Sequence, residues 1–61
     1  MRLYICLFYD KSAVLQAKSI KADRLDSAVK IAADMCRTHP ECGRYELWQG
    51  GHKVHQGEPR A

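Results

Sequence analysis

Two prolines, four glycines and three cysteines are all that the 61 residues contain of the types that punctuate or cross-link a chain. Scarce proline and glycine exclude a low-complexity linker, and 46% apolar with 28% charged residues marks a chain able to form a packed core. No apolar run approaches the roughly 20 residues that span a bilayer, so the reading is a protein with no membrane segment. There is no signal-peptide pattern, because the apolar start breaks off at Asp10-Lys11. The cysteines Cys6, Cys36 and Cys42 are odd in number and form no Cys-x-x-Cys pair. This favours reduced thiols and a cytoplasmic location over a disulfide framework. Ten Lys and Arg against seven Asp and Glu give a net charge of +3 without any block of like charge, which reads as a solvated surface.

What is present is organised by period. Residues 2 to 9, Arg-Leu-Tyr-Ile-Cys-Leu-Phe-Tyr, are almost wholly apolar or aromatic and predict a central strand that stops at Asp10-Lys11-Ser12. A return strand is expected over residues 14 to 21. A turn of residues 10 to 13 sets Tyr9 opposite Val14, Phe8 opposite Leu15 and Cys6 opposite Ala17. Residues 24 to 38 carry apolar positions at spacings of three and four, namely Leu25, Ala28, Val29, Ala32, Met35 and Cys36, on an otherwise charged helix. Asp23 is the expected N-cap, and Pro40 should end the helix at His39. Gly50-Gly51 between alternating runs predicts a two-residue hairpin, with Gln49 facing His52, Trp48 facing Lys53, Leu47 facing Val54 and Glu46 facing His55.

The order ββαββ with a helical crossover gives an α+β fold: a four-stranded antiparallel sheet with one helix on one face. Strand order 2-1-3-4 is preferred over 1-2-4-3, because it puts the most apolar strand inside the sheet. One domain is expected over residues 1–56, with residues 57–61 a frayed C-terminal tail. The expected core is Tyr4, Cys6, Phe8, Leu15, Ala17, Leu25, Val29, Ala32, Met35, Cys36, Leu47 and Val54.

Candidate chemistry is sparse. Cys36-x-x-His39-x-x-Cys42 with His52-x-x-His55 supplies enough ligands for zinc in number. The two histidines are nevertheless expected on opposite strand faces and Cys36 on the buried helix stripe, so no metal or other cofactor is assigned. Cys42 near His39 has no orienting third group, and no glycine loop precedes a helix, so no catalytic site is assigned and the chain does not read as an enzyme. What remains is the open sheet face. Ile5, Leu7 and Tyr9 beside Trp48, bordered by Lys18, Lys53, Arg44 and His55, form an apolar strip of the kind that marks an interaction surface. The expected role is a homodimeric interaction or regulatory module in which two such faces, or two edge strands, pack together, since a domain this small gains from shared burial, and a separate protein partner would bind by strand addition at an exposed edge. The alternative is a nucleic-acid module stacking single-stranded bases on Tyr9 and Trp48.

The Tyr-rich first strand ending at Asp10, Ile20 and Ala22-Asp23 before a helix carrying Ala28 and Ala32, and Glu46-Leu47-Trp48-Gln49-Gly50 followed by Lys53-Val54, together resemble a group of short uncharacterised ββαββ proteins of alpha-proteobacteria. The resemblance covers nearly the whole chain, and Glu-Leu-Trp-Gln-Gly is its distinctive segment. Those relatives commonly carry Asp-Gly in the first turn, where this chain has Lys11-Ser12. The resemblance implies the fold and the compartment but no activity.

Overall fold

A computed structural model describes residues 1–58. Its elements are β1 (Arg2–Tyr9), β2 (Val14–Ala22), α1 (Leu25–Thr38), β3 (Arg44–Gln49) and β4 (His52–Gly57). The strands form one sheet in the order β2-β1-β3-β4, every neighbouring pair antiparallel, with β1 inside as its apolar sequence requires. Alternation along β1 sends Tyr4, Cys6 and Phe8 beneath the helix, where all three are buried, and leaves Leu3 and Ile5 exposed on the other face. The helix contributes its smallest side chains to the centre of the contact. Ala28, Ala32 and Cys36 are fully buried, and Leu25, Val29, Ala33 and Met35 pack around them as a half-buried rim. Small residues at the centre let the helix axis sit close to Tyr4, Phe8 and Leu47, the largest fully buried side chains.

Both outer strands carry a β-bulge, and each bulge corrects the expected register. In the first hairpin Tyr9 pairs with Val14, as the turn requires, but Phe8 then pairs with Gln16, Leu7 with Ala17 and Cys6 with Lys18, leaving Leu15 as the extra residue. The reason is further along β2. An unbroken register would turn Ile20 outward and Ser19 under the helix. The bulge instead sets Tyr4 opposite Ile20 and Arg2 opposite Ala22, burying both aliphatic residues while Leu15 still packs against the core. Ala17, an expected core residue, is therefore exposed. Burying an isoleucine contributes more than burying an alanine, at roughly 25 cal/mol per Å² of apolar surface.

In the second hairpin, Gly50 and Gly51 adopt φ of 59° and 84°, the left-handed pair a tight two-residue turn needs, and Gln49–His52 and Trp48–Lys53 pair as expected. Val54 is then skipped. Leu47 pairs with His55, Glu46 with Gln56 and Tyr45 with Gly57. Val54, expected in the core, is 36% exposed. The shift places a glycine where the Tyr45 ring lies: a Cβ on Gly57 would stand 2.9 Å from the Tyr45 hydroxyl. Tyr45 is thereby buried, with the His55 ring 5.9 Å from its own.

The helix begins one residue later than Asp23 predicts. Arg24 is the N-cap, in extended geometry and without a side-chain capping bond. The first turn relies on Asp26 for favourable charge at its amino end. The C-terminal expectation holds, because His39 caps the helix in extended geometry immediately before Pro40. β4 runs to Gly57, one residue beyond the expected domain end, and residues 59–61 of the expected tail lie outside the described residues.

Candidate interaction surface

The open face is built by the inner strands. The register sets Tyr9 beside Arg44, Leu7 beside Glu46 and Ile5 beside Trp48, while β4 adds Lys53 opposite Trp48 and Gln56 opposite Glu46. From β2 come Val14 opposite Tyr9, Ala17 opposite Leu7, Ser19 opposite Ile5 and Lys21 opposite Leu3. The face thus divides into an apolar half along Leu3, Ile5, Leu7, Ala17 and Val14 and a polar half centred on Glu46.

Glu46 is only 7% exposed although it lies on the face away from the helix. Its neighbours on the strand explain this. Arg44, Glu46 and Trp48 alternate onto one face, and the carboxylate is enclosed by donors. The Tyr9 hydroxyl donates to Oε1 at 3.1 Å and the Trp48 indole N–H to the same oxygen at 3.2 Å. The Arg44 guanidinium donates to Oε2 at 3.0 Å, with Lys53 Nζ 3.6 Å away. The guanidinium also lies over the Tyr9 ring, 4.0 Å from its centroid. Burial alone would raise the Glu46 carboxyl, but the hydrogen bonds from Trp48, Tyr9 and Arg44, with the charge of Lys53, outweigh it and hold the group below its ordinary value. The Tyr9 hydroxyl moves the other way, raised by desolvation and by its bond to the Glu46 carboxylate. Lys53 is braced in turn by a 2.8 Å bond to Gln56.

Of the residues expected on this surface, Ile5, Leu7, Tyr9, Trp48 and Lys53 come together. Lys18 and His55 do not, because the bulges carry them across the sheet. Lys18 pairs with Cys6 and His55 with Leu47, both core-facing positions. His55, expected to face Glu46, is displaced from it, and Arg44 and Lys53 form the ion pairs to the carboxylate. The enclosure of Glu46 is what sequence reading misses on this face. Its signal is the Arg44-x-Glu46-x-Trp48 alternation, a carboxylate flanked on one strand face by a cation and an indole donor.

The cysteine and histidine readings also change. Cys36 and Cys42 form a disulfide, with Cα atoms 5.4 Å apart, where reduced thiols were expected. The turn at Pro40 folds the chain back so that the loop cysteine meets the last turn of the helix, a proximity that their spacing does not reveal. Cys6 stays a free thiol, buried, its pKa pushed up to about 12 by desolvation. His52 pairs with Gln49 and His55 with Leu47, so the bulge puts both histidines on the helix side, not on opposite faces. Among the described residues no group of three His, Cys, Asp or Glu side chains is placed to hold one metal ion, and no helix is long and apolar enough to cross a membrane. A shallow groove between α1 and β4 is lined by Leu25, Asp26, Val29, Lys30 and His55. Comparison of the chain with protein-family models, with curated proteins and with solved structures finds no match in any of the three.

Proposed function

We propose that this domain is a homodimeric interaction module in which two copies pack open sheet face against open sheet face. The observation that carries the reading is the combination on that face of uncovered apolar side chains with polar groups already satisfied. Leu3, Ile5 and Val14 are 52%, 37% and 53% exposed, beside Leu7 and Trp48. Glu46, Arg44 and Lys53, which a dry interface would otherwise strand, are paired with one another within the chain. Burying the apolar half therefore gains contact beside a carboxylate that already has its partners, with Lys21 an exposed cation next to Leu3. The molecule measures 29 × 22 × 15 Å, so its broad face is of the order of the roughly 800 Å² per partner that a standard interface buries. A 61-residue domain also has more to gain from shared burial than a larger one.

Stacking of single-stranded nucleic acid is less well supported. The Tyr9 ring already carries the Arg44 guanidinium, a carboxylate lies at the centre of the aromatic group, and Lys18 faces the other side of the sheet. The compartment follows the thiols. A persistent Cys36–Cys42 bond fits an oxidising environment, whereas a cytoplasmic one would keep the pair reduced.

Sedimentation at low and high salt tests the module. A dimer held by apolar burial persists as salt rises and dissociates in Leu7→Asp, which puts an uncompensated charge in the strip. A monomer whose Trp48 emission responds to an oligonucleotide in a salt-sensitive titration overturns the reading in favour of nucleic acid. A monomer that binds neither overturns both.

A further inference from the structure

The Cys36–Cys42 disulfide lies at the junction between the helix and the open face. It joins the last turn of α1 to the residue two positions before β3. The intervening loop has few other ties: His39 N–H donates to the Cys36 carbonyl at 3.1 Å, Glu41 N–H to His39 Nδ1 at 3.4 Å, Cys42 N–H to the His39 carbonyl at 3.0 Å, and Gly43 N–H to the Tyr9 carbonyl at 2.7 Å. The next residue is Arg44, whose guanidinium covers Tyr9 and bonds to Glu46. A single residue, Gly43, therefore separates the disulfide from the polar group that fixes Trp48. We infer that Cys36 and Cys42 are a reversible thiol–disulfide site whose oxidation state sets the order of the open face and so regulates self-association. The regulatory half of this inference rests on the dimer reading above; the coupling of the cysteine pair to Trp48 does not.

The two cysteines are unequal. Both are buried, but Cys42 keeps 9% exposure as a residue where Cys36 has none, so Cys42 is the side from which an incoming thiolate approaches. A dithiol reductant attacks Cys42 Sγ, the S–S bond breaks, and Cys36 leaves as a thiolate that takes up a proton. The reductant's second thiol then closes on the mixed disulfide and frees Cys42. Two electrons and two protons pass from the dithiol to the pair, and the dithiol ends as its own disulfide. The third cysteine, Cys6, is buried in the central strand between Lys18 and Leu47 and stays a free thiol while Cys36 and Cys42 are joined. With the bond open, the segment from His39 to Gly43 loses its covalent anchor to the helix, and Arg44, the first residue of β3, is left held over Tyr9 by its ladder pairing and the Gly43–Tyr9 bond alone.

The test uses the whole chain, oxidised or reduced with dithiothreitol, with near-ultraviolet dichroism of Trp48, far-ultraviolet dichroism and sedimentation read in parallel. Reduction should change the Trp48 signal, leave the far-ultraviolet spectrum in place and weaken self-association about tenfold, within the range of ordinary coupling between sites. Oxidised glutathione should restore all three, and thiol alkylation with mass analysis should show two cysteines gained and lost together. The double variant Cys36→Ser with Cys42→Ser should behave as the reduced protein, and Cys6→Ser should keep the response. If the double variant fails to fold, the reversible titration of the unaltered chain decides. Identical Trp48 signals in the two states overturn the coupling. Loss of the far-ultraviolet spectrum on reduction also overturns it, because the bond would then staple the whole domain. A Trp48 signal that follows the redox state in a protein that is monomeric throughout leaves the coupling standing and removes the dimer.

Discussion

The two faces of the sheet draw on the same strands and end in different states. Beneath the helix, Tyr4, Cys6, Phe8, Tyr45 and Leu47 are buried against small helical residues with almost no polar content. On the other side Leu3 and Ile5 stay exposed, and Glu46, the one buried charge among the described residues, is held by its own neighbours. The contrast shows two ways of ordering a surface. The covered face is ordered by exclusion of water over a broad apolar area, and the open face by a small group of directional bonds around one carboxylate. The first tolerates volume-conserving exchange and the second does not, since removing one member leaves charged donors without an acceptor.

The largest effect should come from the covered face. Leu47→Ala empties a position with no exposure beneath the helix and should cost roughly 2 to 5 kcal/mol in denaturant unfolding, whereas Leu3→Ala on the open face should stay within about 0.5 kcal/mol in dilute monomer. Equal losses at both positions would mean that the faces are not distinct in the way described.

Glu46→Gln sharpens the contrast from the open side. It removes the charge that Arg44 and Lys53 share and should cost about 1 to 3 kcal/mol at neutral pH. The pH dependence has a definite sign. A carboxyl held below its ordinary value contributes stability that is complete above that value and is lost as the pH falls through the lower folded one. Wild-type stability should therefore fall as the pH drops below 4.5, the ordinary value for Glu46, and the glutamine variant should lose less over that interval. Asp10, lowered by backbone hydrogen bonds from Ala13 and Ser12, titrates in the same acid range, so the comparison is made in an Asp10→Asn background.

A modest effect should be seen at the sheet edge. Gly57→Ala places a methyl group against the Tyr45 hydroxyl and ring and should cost about 1 kcal/mol, with a change in the tyrosine near-ultraviolet signal as the ring tilts. An unchanged spectrum would show that the second bulge does not serve to seat Tyr45.

Much of this was legible in residue order, and the side chains assigned to the wrong face share one cause. Strand 1, the helical stripe, the helix stop at Pro40, the glycine turn and the sheet order were all readable, because each depends on local conformation or on which strand is most apolar. Ala17, Val54, Lys18 and His55 were placed on the wrong face, all through the two bulges. A bulge is absent from the local pattern, since period-2 reading assumes an unbroken ladder.

By itself the sequence determined the elements, their order and the inward set Tyr4, Cys6 and Phe8, because short-range sterics and the alternation of side chains decide these within a few residues. Only the tertiary structure decided that Ile20 outcompetes Ala17 for the space beneath the helix, and that Gly57 lies beside the Tyr45 ring. It alone enclosed Glu46 among Tyr9, Trp48, Arg44 and Lys53 and brought Cys42 to Cys36. Each of these is a contest for one volume or one bonding partner among residues distant in the chain or separated by a turn, and its outcome depends on where the helix and sheet finally lie.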